Sequence, residues 1–291
     1  MIAAGSVNVT YPVRIHEDAD IWVSDHLSIG QYTVIKSGFK AKCRSLTIGR
    51  HCYIHEGVEI GFGGCMGLNA HVHIGDYVGI FQNTHINCAE PVYIGDCCGL
   101  GQEVKIWTHG TWLPVAEGFP PQKQEPVRIG DKVWLPARTQ VLAGVEIGDN
   151  VVVGINSLVN KSLPSGCFAA GIPAKVIKEN VYPKPLTTEE LMQVARELCA
   201  GYLPIAQDKG FQPDCLAPYL DTDNGHVYID FQMSEGEGAV EFDLSDPSAT
   251  YLPGISEYEE DFRDYLRRNG FKFHNGGFFK SMLPTRFTEV R

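Results

Sequence analysis

The sequence lacks the surplus of Lys and Arg that a nucleic-acid partner demands: 24 basic residues stand against 35 acidic ones, a formal net charge of -11. Binding to a phosphate backbone works by replacing counterions with Lys and Arg, so this balance argues against that class of function. No stretch approaches the roughly 20 apolar residues that cross a bilayer. The opening MIAAGSVNVTYPVRIHEDAD has no basic segment ahead of an apolar run, so an unexported, cytoplasmic protein is expected. Paired CxxC spacing is also missing. Nine cysteines are present, with Cys97 and Cys98 adjacent, and reduced, mostly packed thiols are expected rather than disulfides. At 291 residues the chain can bury a large core and exceeds one average domain.

What the sequence does have is an internal period of six. Counting in sixes gives Ile48, Ile54, Ile60; Ile74, Ile80, Ile86; Ile94, Leu100, Ile106; Ile129, Leu135, Val141; and Ile147, Val153, Val159, every one aliphatic. An amphipathic helix repeats at 3.6 residues and a two-faced strand at 2, so neither explains the pattern. Gly follows the aliphatic residue at Gly30, Gly49, Gly61, Gly75, Gly95, Gly130 and Gly148, where a tight backbone path excludes a side chain. Small or β-branched residues recur four places after it, as at Cys52, Val58, Val78, Thr84, Val104, Thr139, Val145 and Ser157. Short strands joined by sharp corners fit this spacing: three strands make an 18-residue triangular coil, and stacked coils pair in parallel ladders over an aliphatic column.

These [Ile/Leu/Val]-Gly-x4 repeats, ending in SLVNKSLP and GIPAK, resemble the hexapeptide-repeat acyltransferases over roughly residues 10 to 180. The run WTHG, a loop, then PVRIGDKVWLPARTQVLAGVEIGDNVVVGINSLV is similar to the branch that acetylates maltose, galactosides, xenobiotics and polysaccharides. The resemblance implies a mainly β fold, a left-handed parallel β-helix over residues 1–180, and assembly as a homotrimer. It also implies acetyl-CoA as acyl donor and a small acceptor, a sugar or amino sugar. The leading expectation is O-acetylation of a saccharide or its precursor. N-acylation of an amino sugar or nucleotide-linked amino sugar, and a non-catalytic assembly role, stand as alternatives.

His109, three residues after Ile106 at the root of the longest insertion, stands where the family places its catalytic base. A hydroxyl is a poor nucleophile, and an imidazole can take its proton during attack on the thioester carbonyl. By the same resemblance Asn83, Glu90 and Trp107 are acceptor-side candidates. Phe81 replaces the first Asn of the family's Asn-Phe-Asn segment, Cys88 falls near its expected acid, and Asn83 could equally satisfy a corner backbone group. For coenzyme A the resemblance points to backbone near Ala143 and Gly144, a flanking aromatic at Trp134, then Ser157, Lys161, Pro173 and Lys175. Lys161 and Lys175 suit phosphates as flexible point charges or are solvated surface residues, and Trp134 could be packing. γ-Class carbonic anhydrases share such a β-helix and hold zinc with three His. Here His73, His85 and His109 fall out of register with one another, so no metal is expected.

Coils beginning at Ile48, Ile74, Ile94, Ile129 and Ile147 exceed 18 residues by 8, 2, 17 and 0 in turn. Each surplus follows the third strand, so loops within 61–73, 87–93 and 107–128 should leave the prism at one corner and wall a cleft there, partly closed by a neighbouring subunit. After GIPAKVI the period stops, and Pro183 and Pro185 mark a linker. Residues 181–291 form a second, α+β unit. A helix is expected after Thr187 or Thr188 with Leu191, Val194, Ala195 and Leu198 on one face, and strands at 227–231 and 239–244. A second helix is expected behind the Ser256–Glu259 capping box, with Tyr258, Phe262 and Tyr265 on a face and a stop at Gly270. A short strand is expected at Phe271. The unit carries no nucleotide, metal or nucleophile motif.

Overall fold

The computed structural model describes residues 1–65, 67–110, 113–121, 123–233, 240–246, 256–273 and 277–284. The chain divides into two compact units, Met1–Lys184 and Pro185–Arg291.

The first unit is a three-faced parallel β-helix. One face stacks the strands His71–Ile74, Val92–Ile94, Val127–Ile129 and Glu146–Ile147. A second stacks Arg14–Ile15, Val34–Ile35, Tyr53–Ile54, Gly79–Ile80, Gly99–Leu100, Trp134–Leu135, Val152–Val153 and Phe168–Gly171. A third stacks Glu59–Gly61, His85–Ile86, Lys105–Ile106, Gln140–Val141 and Leu158–Val159. All fifteen periodic aliphatic residues lie inside; Ile48, Ile80, Ile86, Ile106 and Val141, for example, are at most 1% exposed. Each such side chain contributes about 1.5–3 kcal/mol by leaving water. The ladder starts earlier than the repeat is legible: Ile2–Val9 already pairs in parallel with Asp20–Ile29. In these lower coils the strands Asp20–Ile29 and Lys40–Ile48 run through the third corner without a loop, the pair between them shifting register between Val23 and His26.

The corners explain the six-residue unit. Three places after the core residue, the backbone turns left-handed, at Tyr32, His51, Tyr77, Cys97, Lys132 and Asn150 on one corner. Side chains other than Gly rarely adopt that conformation, but here each amide is tied to the coil below, as in His51 N–H to Gln31 O, 2.8 Å, and Cys97 N–H to Asp76 O, 2.8 Å. Beside this turn runs a carboxylate ladder. Asp76 Oδ1 accepts from Arg50 N–H at 2.9 Å, Asp96 from Asp76 at 2.7 Å, Asp131 from Asp96 at 2.8 Å and Asp149 from Asp131 at 2.8 Å, and Ser165 Oγ accepts from Asp149 at 3.0 Å.

The next coil, through its backbone and its ladder carboxylate together, is why Gly precedes each aspartate: a Cβ on Gly95 would lie 2.7 Å from the Gly130 carbonyl carbon, and one on Gly30, which faces no carboxylate, 2.6 Å from Arg50 N. A Cβ on Gly75 would lie 2.3 Å from Asp96 Oδ1, and one on Gly95 2.2 Å from Asp131 Oδ1. Both contacts are shorter than any real Cβ tolerates. Gly95→Ala should therefore lower stability by about 1–3 kcal/mol through overpacking, read as a fall in the midpoint of guanidinium unfolding. An unchanged midpoint would remove the close approach of the next coil as the cause of the glycine.

The second unit has its own core of Ala195, Leu198, Tyr202, Val227, Ile229, Phe231, Phe242, Phe262, Leu266 and Phe273, among others. Helix α1 (Thr188–Asp208) is capped by Thr187 with Glu190 closing the box, and helix α2 (Glu257–Arg268) starts behind Ser256, whose backbone N–H donates to the Glu259 carboxylate. The antiparallel sheet runs Cys215–Leu220, Val227–Gln232, Val240–Asp243. Its first strand has no sequence signal, because Pro213 and Pro218 mask the run; Pro218 sits on an edge strand, where a missing donor is tolerated. The strand expected at Phe271 is absent: 271–273 is irregular, and Phe273 enters the core as a single anchor. Ala239, expected to open the last strand, lies outside the described residues.

Candidate active site

Three loops, 62–70, 87–91 and 107–126, each join the third face to the first. They emerge at one corner because the strands they leave are ladder neighbours, Glu59–Gly61 beside His85–Ile86 beside Lys105–Ile106. Side chains tie loop to loop. Asn69 Nδ2 donates to Glu90 Oε2 at 3.1 Å, Glu90 N–H to Thr108 Oγ1 at 3.1 Å, and Glu125 N–H to Thr108 O at 3.1 Å. The returning arm of the longest loop pairs Gln124 with His109 in an antiparallel bridge.

His109 stands at the root of that wall, partly exposed, with Nδ1 2.8 Å from Asn87 Oδ1. Asn87 is 2% exposed and Thr108 wholly buried. The adjacent coil above places the Ala143–Gly144 turn near the same arm. Lys123 Nζ donates to Ala143 O at 3.3 Å and pairs with Glu125 at 2.9 Å, while a Cβ on Gly144 would come 1.8 Å from Glu125 Oε2. The Glu125 carboxylate is the end of a flexible side chain and can move aside; what calls for glycine here is the backbone, left-handed at φ +78°.

The other expected site residues divide by corner. Trp107 and Glu90 belong with His109. Trp107 packs against His85, ring centroids 5.2 Å apart. Burial, with Lys105 adding to it, holds His85 below the usual imidazole value, against the pull of Glu59, so this ring is neutral at physiological pH. Asn83 sits elsewhere. It turns the corner at the other end of His85–Ile86, left-handed at φ 58° and exposed, its amide bonded to Glu56 O at 3.2 Å and its carbonyl accepting from Lys105 Nζ at 3.0 Å. Trp134 lies on the second face, 40% exposed, its ring over Gly99, where a Cβ would meet it at 2.5 Å. Phe81 meets it edge-on at 6.5 Å.

Ser157, expected to touch coenzyme A, points inward: it is 2% exposed and its Oγ accepts from Gly171 N–H at 3.0 Å. Its hydroxyl oxygen serves the turn at Gly171 by accepting that amide proton. Lys161, Pro173 and Lys175 are exposed near the upper end of the prism. Sequence reasoning missed Asn87. The available signal was its register, one after Ile86, which brings it to the third corner beside the coil that carries His109.

All nine cysteines are free thiols, and burial pushes Cys52 and Cys199 up to about 12, so these two are unreactive. Among the described residues no group of three or more His, Cys, Asp or Glu is placed to hold a metal ion. No helix among them is long and apolar enough to cross a membrane.

The profile of the bacterial transferase hexapeptide family, six repeats, matches residues 126–161. WbbJ of Escherichia coli K12, assigned to lipopolysaccharide biosynthesis as an O-acetyl transferase, is 32% identical over 167 residues, covering 81% of that protein and 48% of this chain. The chain belongs to the hexapeptide-repeat acetyltransferase family. The galactoside O-acetyltransferase of Lactococcus lactis is 34% identical over 134 residues, or 44% of this hexapeptide-repeat acetyltransferase, which spans 60% of that enzyme's length. A solved hexapeptide-repeat acetyltransferase of Vibrio cholerae, complexed with acetyl coenzyme A, is 25% identical with a TM-score of 0.38, covering 44% of this chain and 67% of that one.

Proposed function

We propose that the protein transfers the acetyl group of acetyl-CoA to a hydroxyl of a saccharide or saccharide precursor, in the cytoplasm, with His109 as general base. The observation that carries this reading is the placement of a partly exposed His109 at the root of the longest of three stacked loops, in a chain of this family. The lipopolysaccharide and galactoside relatives support a saccharide acceptor.

Acetyl-CoA enters as a substrate. The exposed Trp134 indole offers an apolar face, and the exposed ammonium groups of Lys161 and Lys175 offer charge for phosphates. His109 takes the acceptor hydroxyl proton as the oxygen attacks the thioester carbonyl carbon. The C–S bond then breaks, the imidazolium returns its proton to the departing thiolate, and the products are an acetyl ester and free coenzyme A.

Asn83 and Trp134 lie away from the third corner, so they can complete a site around His109 only from another copy of the chain. This division supports a homotrimer with sites between subunits. Glu90, whose carboxylate is held by a neutral Asn69 amide, favours a second reading in which the acceptor is an amine.

The test is mass and fragmentation analysis of acceptors incubated with the enzyme and acetyl-CoA, using sugars, amino sugars and nucleotide sugars. Acetyl esters on neutral sugars are expected. Acetamides alone would establish the amine reading, and no acetylated product from any acceptor would contradict both.

A further inference from the structure

Asn87 is hydrogen-bonded at both ends of its side-chain amide, at the third corner. The Ala89 backbone N–H points at one end of its amide, 3.3 Å away. A backbone N–H can only donate, so that end is the oxygen. The other end, Nδ2, reaches the Phe62 carbonyl at 3.5 Å, which can only accept. Two backbone groups therefore fix an orientation that the heavy atoms of an amide leave ambiguous. Thr108 Oγ1 accepts from Glu90 N–H, which leaves its own proton to donate to Asn87 Oδ1 at 2.9 Å. His109 Nδ1 approaches the same oxygen at 2.8 Å. The amide oxygen carries no proton, so the shared proton sits on Nδ1 and the lone pair of the neutral ring sits on Nε2.

We infer that Asn87 is the positioning residue for acetyl transfer, holding His109 as its Nδ1–H tautomer so that Nε2 is the base. The inference rests on His109 being that base. A neutral amide in this place fixes the tautomer as a carboxylate would, without stabilising the imidazolium by charge. The other titratable groups at this corner are Glu90, the Lys123–Glu125 pair, His85, Cys65 and Cys88. None changes in the variants below.

Three variants are compared by steady-state kinetics across pH, with acetyl-CoA affinity measured by calorimetry. Asn87→Leu keeps the bulk and removes the acceptor; kcat should fall roughly 100-fold, the scale of general-base loss, with KM for both substrates within about two-fold. Asn87→Asp keeps the acceptor and adds a negative charge, which favours the imidazolium. The rate requires the neutral ring, so the acidic limb of the kcat profile should move up by about one pH unit, with activity at its plateau largely kept. Should Asn87→Leu fail to fold, the limb shift in Asn87→Asp decides alone. Full kcat in a folded Asn87→Leu, or an unmoved limb in Asn87→Asp, overturns the inference while loss of activity in His109→Ala leaves the base assignment standing. Full activity in His109→Ala would instead remove the base assignment.

Discussion

His109→Ala slows acceptor-dependent acetyl transfer by roughly 100-fold or more, while leaving acetyl-CoA affinity and thermal stability close to wild type. The imidazole makes one described side-chain hydrogen bond, to Asn87 Oδ1. That oxygen keeps the Ala89 amide and the Thr108 hydroxyl when the ring is removed. No buried group is orphaned, so the fold tolerates the change. What is lost is the proton acceptor, and a saccharide hydroxyl attacks poorly without one. The kinetic signature is a fall in kcat and kcat/KM together, measured at saturating and limiting acceptor. A rise in KM alone would mean that His109 binds substrate without acting on it.

Asp261→Ala should cost about 3–5 kcal/mol in the second unit, because it leaves a buried cation without its partner. Asp261 is fully buried and Lys209 only 11% exposed, with Nζ 2.6 and 2.7 Å from the two carboxylate oxygens. The same carboxylate accepts from Tyr202 O–H at 2.7 Å and from Met282 N–H at 2.6 Å. It thus joins α1, α2 and the segment 277–284 through one side chain. Three donors, which together make four hydrogen bonds, lose their acceptor at once in the alanine variant. Removing the charge from both ends, as in Asp261→Leu with Lys209→Met, should recover much of the loss, since the ammonium no longer needs neutralising. Hydrogen exchange at the amides of α1 and α2 reads the effect directly. Protection equal to wild type in Asp261→Ala would show that the pair adds nothing to the fold.

The β-helix was open to sequence reading because its core demands one aliphatic residue at a fixed place in every strand, and a coil cannot shift without losing it. The same register located the loop corner, since an insertion that breaks the period must leave between two strands. The aspartate ladder was only half visible. Gly75 and Gly95 announced a tight path, but the obstacle is the next coil, its backbone together with its ladder carboxylate, about 20 residues or more away in sequence. Asn87 escaped for a related reason. Its neighbour Cys88 drew attention as a departure from the family pattern, while the contact that matters reaches 22 residues along to His109. Ser157 shows the same register from the inside: it is a small residue at the inward position of its strand, and its hydroxyl accepts from the Gly171 amide. In the second unit, capping boxes at Thr187 and Ser256 gave both helix starts because they are local chemistry. The strand Cys215–Leu220 depends on pairing with Val227–Gln232, which two prolines conceal.

The most direct test of the central claim is release of coenzyme A thiol from acetyl-CoA by the purified protein, with and without a saccharide acceptor, beside His109→Ala. The account predicts acceptor-dependent release by the wild type and its loss in the variant. Equal release by both proteins, or none by the wild type together with no heat of acetyl-CoA binding, would contradict it.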